Sequence, residues 1–215
     1  MTHIESRSKD ELPELATVLN NAEATMGFIP NSMLTMAHMP QLTMAFSILA
    51  GTVFGADLKN LLDMYIDEVP TDANAAEALP PETVQLIAYS VSLSAGCRYC
   101  QAHTSNNANR FGISEEKLQA VLQFETSPLF SQSERAVIDL ALNAGQVPNG
   151  VNKSHIEALQ ANFSERQIVQ IVGVVSLFGF LNRWNDTLAT SLEDHPVEFA
   201  QRVLSAGGWQ IDKHV

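Results

Sequence analysis

The sequence predicts an all-α protein, and two observations support that fold class. Apolar side chains recur at helical spacing in almost every segment, as Leu12, Leu15, Val18 and Leu19 do near the start of the chain. No segment shows the alternation of apolar and polar residues that is typical of a half-buried strand. With 46% hydrophobic and 17% charged residues, the composition is that of a globular protein with a sizeable core.

Helix boundaries follow from the apolar spacing and from residues that start or stop helices. The helices that matter most below are predicted at 40–54, 58–69, 81–93 and about 97–112. A polar, alanine-rich stretch at 70–80 separates the second of these helices from the third. Of all the segments, this stretch most resembles a boundary between domains.

Glycines and capping residues mark the predicted helix ends. Gly27, Gly96 and Gly112 each follow an apolar helical run, and glycine commonly ends a helix because it adopts the left-handed conformation without strain. The segment 131–134, Ser-Gln-Ser-Glu, matches the capping-box pattern at the start of a later helix. The residues after Pro196 are expected to form a short last helix and a loose end.

The net charge of -12 narrows the range of partners. An acidic surface repels phosphate backbones and anionic lipids, so neither nucleic acid nor a membrane is an expected partner. The first residues lack the apolar stretch of a signal peptide. The longest apolar run, 168–181, is too short to span a bilayer and is interpreted as a buried core helix. We therefore expect a cytoplasmic protein, and in that compartment cysteines are more often catalytic or metal-binding than structural.

The chain has two cysteines, and they form a Cys-x-x-Cys motif. On a helix this spacing places Cys97 and Cys100 on one face, within a turn of each other. If Gly96 separates two helices, the thiols lie at a helix N-terminus, where unpaired N–H groups favour the thiolate, and Arg98 adds positive charge. His103 follows one turn after Cys100, where an imidazole could accept the thiol proton. The motif predicts a peroxide-reducing or disulfide-exchanging centre.

Two other interpretations of these residues stay open. Cys97, Cys100 and His103 could instead serve as three ligands of a metal ion, although two cysteines cannot build a four-cysteine zinc site in one subunit. The thiols could also be inert core residues, since free cysteine is a common buried side chain. Covalent haem attachment is excluded because Gln101 stands where that motif requires histidine.

Two further clusters need an interpretation. The segment 181–186, Leu-Asn-Arg-Trp-Asn-Asp, ends an apolar helix, and we interpret it as a structural polar cluster in which Asn182, Asn185 or Asp186 stabilises a buried Arg183, with a role in a functional site as the alternative. A group of methionines is interpreted as adaptable core, or as the lining of a substrate or subunit interface. Its members are Met26, Met33, Met36, Met39 and Met44.

Several of these stretches resemble a known family. The resemblance is carried by residues 86–112 around Gly-Cys-Arg-Tyr-Cys, by Phe-Gly-Ile-Ser-Glu-Glu at 111–116, and by the flanking stretches 27–31 and 180–185. In these stretches the chain resembles the carboxymuconolactone decarboxylase and alkylhydroperoxidase AhpD-like group, and most closely its peroxidase-related branch.

The resemblance implies a fold, an assembly and an activity. It implies one AhpD-like helical domain over 1–215, with a core motif region at about 80–125 on which N-terminal helices 9–69 and C-terminal helices 131–206 pack. It implies a homo-oligomer, as a dimer, trimer or hexamer. It also implies reduction of a small hydroperoxide by the cysteine pair without a metal or other cofactor, with a thiol or dithiol partner restoring the reduced pair.

The resemblance also assigns roles to individual residues. It makes Cys100 the peroxide-attacking thiol and Cys97 the resolving thiol. Relatives add a relay made of a glutamate twelve residues before the first cysteine and a histidine four residues after the second. Here those positions hold Gln85 and Thr104, and the histidine stands one place earlier, at His103.

A neutral amide cannot shuttle a proton as a carboxylate does, so the relay of this chain differs from that of its relatives. Glu82, one helical turn before Gln85, is a candidate replacement for the missing carboxylate. The predicted catalytic residues are therefore Cys97, Cys100, His103, Gln85 and Glu82.

Two alternative functions belong to other classes. The first is a lyase like carboxymuconolactone decarboxylase, whose carboxylated lactone would need arginines, and Arg98, Arg110 and Arg183 are the candidates. The second is a non-catalytic, oligomeric protein that senses redox state or acts as a thiol adaptor.

Overall fold

The computed structural model describes residues 3–215. Within that range α-helices are joined by turns and short 3-10 segments, and there is no β-strand. The all-α class predicted from helical spacing is therefore confirmed. The chain divides into two compact units, the first running to Ala78 and including Glu165–Val169, the second made of Leu79–Ser164 and Gln170–Val215. The single domain over 1–215 stays a prediction.

The first unit contains four helices. They are α1 (Ala16–Met26), α2 (Asn31–Met36), α3 (Pro40–Val53) and α4 (Leu58–Tyr65). Gly27 ends α1 in the left-handed conformation with φ of 82°, as predicted. Met33 and Met44 are buried in one apolar core with Leu19 and Tyr65, whereas Met26 is exposed. The methionine group is therefore partly core and partly surface.

The second unit contains the Cys-x-x-Cys motif. Its helices are α5 (Pro81–Ala95), α6 (Arg98–Arg110), α7 (Glu115–Gln119), α8 (Gln132–Ala144), α9 (Lys153–Gln160) and α11 (Asp194–Leu204), together with α10 (Glu165–Leu188) from Gln170 onward. Leu86, Ala102, Ile138 and Phe199 share one core, which brings α5, α6, α8 and α11 together. The predicted capping box is confirmed, because Ser131 and Glu134 bond reciprocally at the start of α8.

Helix α10 differs from its prediction as a buried core helix. Leu177, Phe180 and Trp184 lie at helical spacing and are about half exposed. Phe180 stacks on Trp184 along an open cleft of about 1130 Å³, whose other lining residues come from α8, α9 and the loop between them. The run is apolar around most of the helix, as in a fully buried helix, but within this unit only one face is covered. No helix in the described range is long and apolar enough to cross a membrane.

The residues after α11 also differ from prediction, because they do not form a loose end. Trp209 is buried, and its Nε1 donates a hydrogen bond to the carbonyl of Arg98 at 3.2 Å. The Leu192 N–H bonds the carbonyl of His214 at 2.9 Å, and His214 is fully buried. This last segment is therefore fixed against the start of α6, where the cysteines lie.

Candidate active site

The cysteine pair lies at the junction of two helices. Gly96 ends α5 in the left-handed conformation with φ of 75°. Cys97 then has extended backbone angles and is the N-cap residue of α6, and Cys100 follows in the first turn. The predicted helix break at Gly96 is confirmed, and it places both thiols at the N-terminus of α6. Positive partial charge from the helix dipole is greatest at that end.

The two thiols are close together and buried. Both are free, and their Sγ atoms are 2.6 Å apart. The backbone N–H of Cys100 donates to Cys97 Sγ at 3.2 Å, as a capping side chain would accept it. The exposed fraction is 0% for Cys97 and 3% for Cys100. Oxidation of this pair to a disulfide needs little movement of the chain.

The hydrogen bonds of the pair shift the pKa values of the two thiols in opposite directions. The hydrogen bond between the two thiols and the bond that the Cys100 N–H donates to Cys97 Sγ hold the pKa of Cys97 below its usual range in spite of burial. The bond to Cys97, together with burial and the Cys97 charge, strongly raises the pKa of Cys100. In the reduced pair the pKa of Cys97 is therefore below that of Cys100.

Asn185 of α10 also contacts the pair. Its Nδ2 donates to Cys100 Sγ at 3.7 Å and to the carbonyl of Leu181 at 3.0 Å. The contact with Cys100 favours the thiolate form, so it acts against the other influences on the pKa of that residue. Asn185 thus lies where it can stabilise charge on Cys100 when the proton leaves.

The predicted base, His103, has a carboxylate partner that the sequence did not reveal. His103 Nε2 lies 2.7 Å from Glu193 Oε2, and Glu193 is the N-cap residue of α11. Tyr99 stacks on the His103 ring at 4.4 Å and donates its hydroxyl to Glu193 Oε1 at 3.3 Å. Slight burial acts against ionisation of Glu193, but hydrogen bonds from its own N–H and from His103 hold its pKa below the usual range.

Asp186 and Lys213 also act on Cys97 through their charges. Asp186 pairs with Lys213 at 2.9 Å and lies 3.7 Å from His214 Nε2. The negative charge of Asp186 raises the pKa of Cys97 and the positive charge of Lys213 lowers it, and both effects are smaller than the hydrogen bonds of the pair. His214 Nδ1 lies 2.8 Å from the Thr190 carbonyl, which can only accept, so Nδ1 carries the proton.

Gln85 and Glu82 take up positions in the first turns of α5. Gln85 is half-buried and Glu82 is exposed. Within residues 3–215, His103 pairs with Glu193, and no hydrogen bond joins Gln85 or Glu82 to a thiol. Their predicted catalytic roles stay predictions.

The 181–186 segment differs from its prediction in one respect, because its arginine is not buried. Arg183 lies on the exposed side of α10 and bonds the Gly179 carbonyl at 3.5 Å. Asn182 and Asn185 are the buried members, and Asn185 reaches Cys100. The spacing of the two asparagines, which puts them on one helix face at the end of an apolar run, could have indicated this buried polar contact.

Metal binding has no support from side-chain placement. No three His, Cys, Asp or Glu side chains come together within residues 3–215 in a way that could hold a metal ion. The side chains that contact Cys100 Sγ are the Cys97 thiol and the amide of Asn185.

An all-helical fold with a buried, reduced Cys-x-x-Cys pair at a helix N-terminus defines a class of helical dithiol proteins. The carboxymuconolactone decarboxylase family matches residues 64–143, which include both cysteines and His103. In this segment the chain is similar to that family.

Individual relatives give a more detailed comparison. Escherichia coli (strain K12) YnjA, an uncharacterized protein, is 29% identical over 110 residues, which are 51% of this chain and 60% of YnjA. The chain thus matches about three fifths of the length of that relative. Two crystal structures of the debrominase Bmp8 are each 28% identical and cover 94% of this chain and 98% of Bmp8.

The apo form of Bmp8 has a TM-score of 0.56 to this structure. A cysteine-to-alanine variant in complex with 2,3,4-tribromopyrrole has a TM-score of 0.57. An Agrobacterium tumefaciens protein of unknown function, related to the antioxidant defence protein AhpD, is 22% identical. It covers 52% of this chain and 77% of its own, with a TM-score of 0.49, a likeness too slight to carry an argument.

Proposed function

We propose that the protein is a cytoplasmic, thiol-dependent oxidoreductase that reduces small hydroperoxides with Cys97 and Cys100. The observation that supports this function is the 2.6 Å separation of two free, buried thiols at a helix N-terminus. In the overall reaction a hydroperoxide and two thiols give an alcohol, water and a disulfide. The two thiols lose two electrons and the O–O bond receives them. A thiol or dithiol reductant then restores the reduced pair.

The first chemical step uses the difference between the pKa values of the two thiols. The Cys97 thiolate takes the proton of Cys100, and the Cys100 sulfur attacks the terminal oxygen of the hydroperoxide. The O–O bond breaks, Cys100 becomes a sulfenic acid, and the leaving alkoxide takes the proton from Cys97 to form the alcohol. Cys97 is then a thiolate again. This role for Cys97 adds to the assignment from the resemblance, in which Cys100 attacks.

The second step forms the disulfide. The Cys97 thiolate attacks the sulfur of the Cys100 sulfenic acid, and the S–O bond breaks. The departing hydroxide takes a proton from His103 and leaves as water. That proton is the one Cys97 gave up when the reduced pair was formed. The contact between His103 and Glu193 keeps the imidazole oriented for this transfer.

The test of the function is peroxide consumption by the reduced protein against a panel of thiol and dithiol reductants. We expect one disulfide to form for each hydroperoxide consumed. Because trypsin cleaves after Arg98, the thiols fall in two tryptic peptides, and the disulfide is detected by mass spectrometry as a cross-link between them. Cys97→Ser and Cys100→Ser proteins should give no cross-link. If both wild-type thiols stay free under peroxide, the redox function is wrong.

Reductive debromination is a second candidate, because the likeness to Bmp8 extends over 94% of this chain. The electron balance is the same as for a hydroperoxide. A C–Br bond breaks, a proton replaces bromine, bromide is released, and the two thiols become a disulfide. A brominated pyrrole in the same assay tests this candidate, and bromide release without peroxide consumption would favour it.

Two other functions predict different results in these assays. A redox-sensing adaptor would form the disulfide but would not turn over with any reductant. A lyase would act on the lactone with both cysteines blocked. For the lyase, Arg98 bonds Gln101, whereas Arg183 bonds a backbone carbonyl of its own helix, so no observation favours a shared carboxylate site for them.

We also propose that the protein forms a homo-oligomer of two, three or six copies. Exposed apolar side chains on α10 support this, since Phe180, Trp184 and Leu188 line the open cleft and Leu177 is exposed on the same helix. Static light scattering at micromolar concentration should give a multiple of 23.5 kDa. Phe180→Glu should lower that mass because it places a charge in the contact, whereas Glu198→Gln should not. A wild-type mass of 23.5 kDa would contradict the proposal.

A further inference from the structure

Asn182 is a buried side chain without a partner. It lies in α10 and is 4% exposed, and neither its Nδ2 nor its Oδ1 makes a hydrogen bond to any residue in the described range. Burying an unpaired amide is unfavourable, and few such groups persist in folded proteins. One that does persist therefore requires an explanation.

The position of Asn182 on its helix supplies the explanation. Asn182 and Asn185 are three residues apart, so they are neighbours on one face of α10, with Cβ atoms about 5–6 Å apart. Asn185 donates to Cys100 Sγ from that face. The unpaired amide of Asn182 therefore belongs to the face of α10 that contacts the attacking thiol.

The hydrogen-bonding capacity of an amide matches that of a hydroperoxide group. A hydroperoxide has one O–H donor and two oxygen acceptors. A carboxamide has a carbonyl oxygen that accepts and an NH₂ group with two N–H donors, and both are bonded to the same carbon. We propose that Asn182 binds the hydroperoxide beside Cys100, an inference that rests on the proposed function. Its Oδ1 accepts the O–H of the substrate, and its Nδ2 donates to the oxygen that leaves as alkoxide.

This arrangement gives Asn182 and Asn185 complementary tasks. Asn185 stabilises charge on the attacking sulfur, and Asn182 stabilises charge on the leaving oxygen as the O–O bond breaks. Both groups are neutral, so the site favours an uncharged hydroperoxide group.

The test separates a binding role from a structural one. Asn182→Leu keeps a similar volume and removes both unpaired polar atoms. We expect an unchanged or higher melting temperature, because an unsatisfied polar group is lost. We expect single-turnover oxidation of the reduced protein by a small alkyl hydroperoxide to slow by about 10-fold or more. Oxidation by a small disulfide should keep its rate, since it needs no peroxide-binding group.

Asn162→Leu is the matched control. Asn162 is a half-buried asparagine whose Nδ2 donates to the Ala158 carbonyl at 2.8 Å, so its loss should lower the melting temperature and leave both oxidation rates unchanged. The inference is overturned if Asn182→Leu reacts with hydroperoxide as fast as wild type, or if it slows both oxidants equally. If the wild type itself reacts with the disulfide but not with hydroperoxide, the proposed function has failed, and the inference about Asn182 fails with it.

Discussion

Cys97→Ala is expected to slow the reaction of Cys100 with hydroperoxide by about 100-fold or more at neutral pH, as for the loss of a positioned base. In the proposed mechanism, Cys97 accepts the Cys100 proton across 2.6 Å at the moment of attack. Without Cys97, the Cys100 proton has to reach a more distant acceptor. The readout is sulfenic acid formation at Cys100 in a single turnover, detected with a sulfenate-trapping reagent.

The pH dependence gives the same prediction a second readout. The pKa of Cys97 is lowered, so the wild-type rate should rise as pH increases through that lowered value and then level off below the pKa of an ordinary thiol. Cys97→Ala depends on ionisation of Cys100 itself, which burial disfavours, so its rate should rise only at higher pH. A variant that matches the wild-type rate at every pH would show that Cys97 is not the base.

The converse variant checks which sulfur attacks. Cys100→Ala keeps Cys97 at the N-cap, where the backbone N–H at position 100 still donates to its sulfur, but removes the thiol that lowers the pKa of Cys97 most. We expect no sulfenic acid in this variant. A sulfenic acid trapped on Cys97 here, with none on Cys100 in Cys97→Ala, would reverse the roles implied by the family resemblance.

The position of the cysteine pair could be predicted from sequence because the determinants are local. A glycine at 96 and a Cys-x-x-Cys spacing are enough to place two thiols in the first turn of a helix. The capping box at 131–134 is local in the same way, since all of its hydrogen bonds fall within one turn. For the cysteine pair and this capping box, each bonded partner lies within about four positions, and sequence and structure agree.

The partners of the pair could not be predicted, because they come from distant parts of the chain. Glu193 and Asn185 lie 90 and 85 residues from His103 and Cys100, respectively. Nothing in the local pattern distinguishes Glu193 from other acidic residues in a chain with a net charge of -12. Local reasoning therefore sought the relay carboxylate at Gln85 and Glu82, whereas the packing of α6 and α11 brings Glu193 to His103.

Which faces of α10 are buried also could not be predicted from the local sequence. Hydrophobicity alone predicted burial of 168–181 and a buried Arg183, but both depend on which neighbours cover each side of the helix. Phe180 and Arg183 line an open cleft, and Leu177 is exposed. The buried polar residues of the segment are instead the two asparagines on the side of the cysteine pair.

His103→Gln is expected to lower steady-state hydroperoxide reduction by about 100-fold, since it removes the group that returns a proton to the departing hydroxide. Glu193→Gln should have a smaller effect in the same direction, because the histidine stays but loses its carboxylate contact at 2.7 Å. Both variants should melt close to the wild-type temperature, since His103 and Glu193 are partly exposed. The measurement is turnover with an excess of dithiol reductant, alongside thermal unfolding.

The effect of pH on Glu193→Gln follows from the lowered pKa of Glu193. A carboxylate with a lowered pKa stays ionised until pH falls through that lowered value, so the difference between wild type and variant should persist through the usual titration range of glutamate. It should disappear only at still lower pH, where the wild-type Glu193 is protonated and can no longer act as an anion beside His103.

Matched controls identify which carboxylate serves the relay. Glu198→Gln, also on α11 and exposed, should leave turnover unchanged. With Glu193 in contact with His103, we expect Glu82→Gln and Gln85→Glu to have little effect as well. If Glu82→Gln abolishes turnover while Glu193→Gln is silent, the relay carboxylate is Glu82, and the contact between His103 and Glu193 serves only to hold α6 against α11.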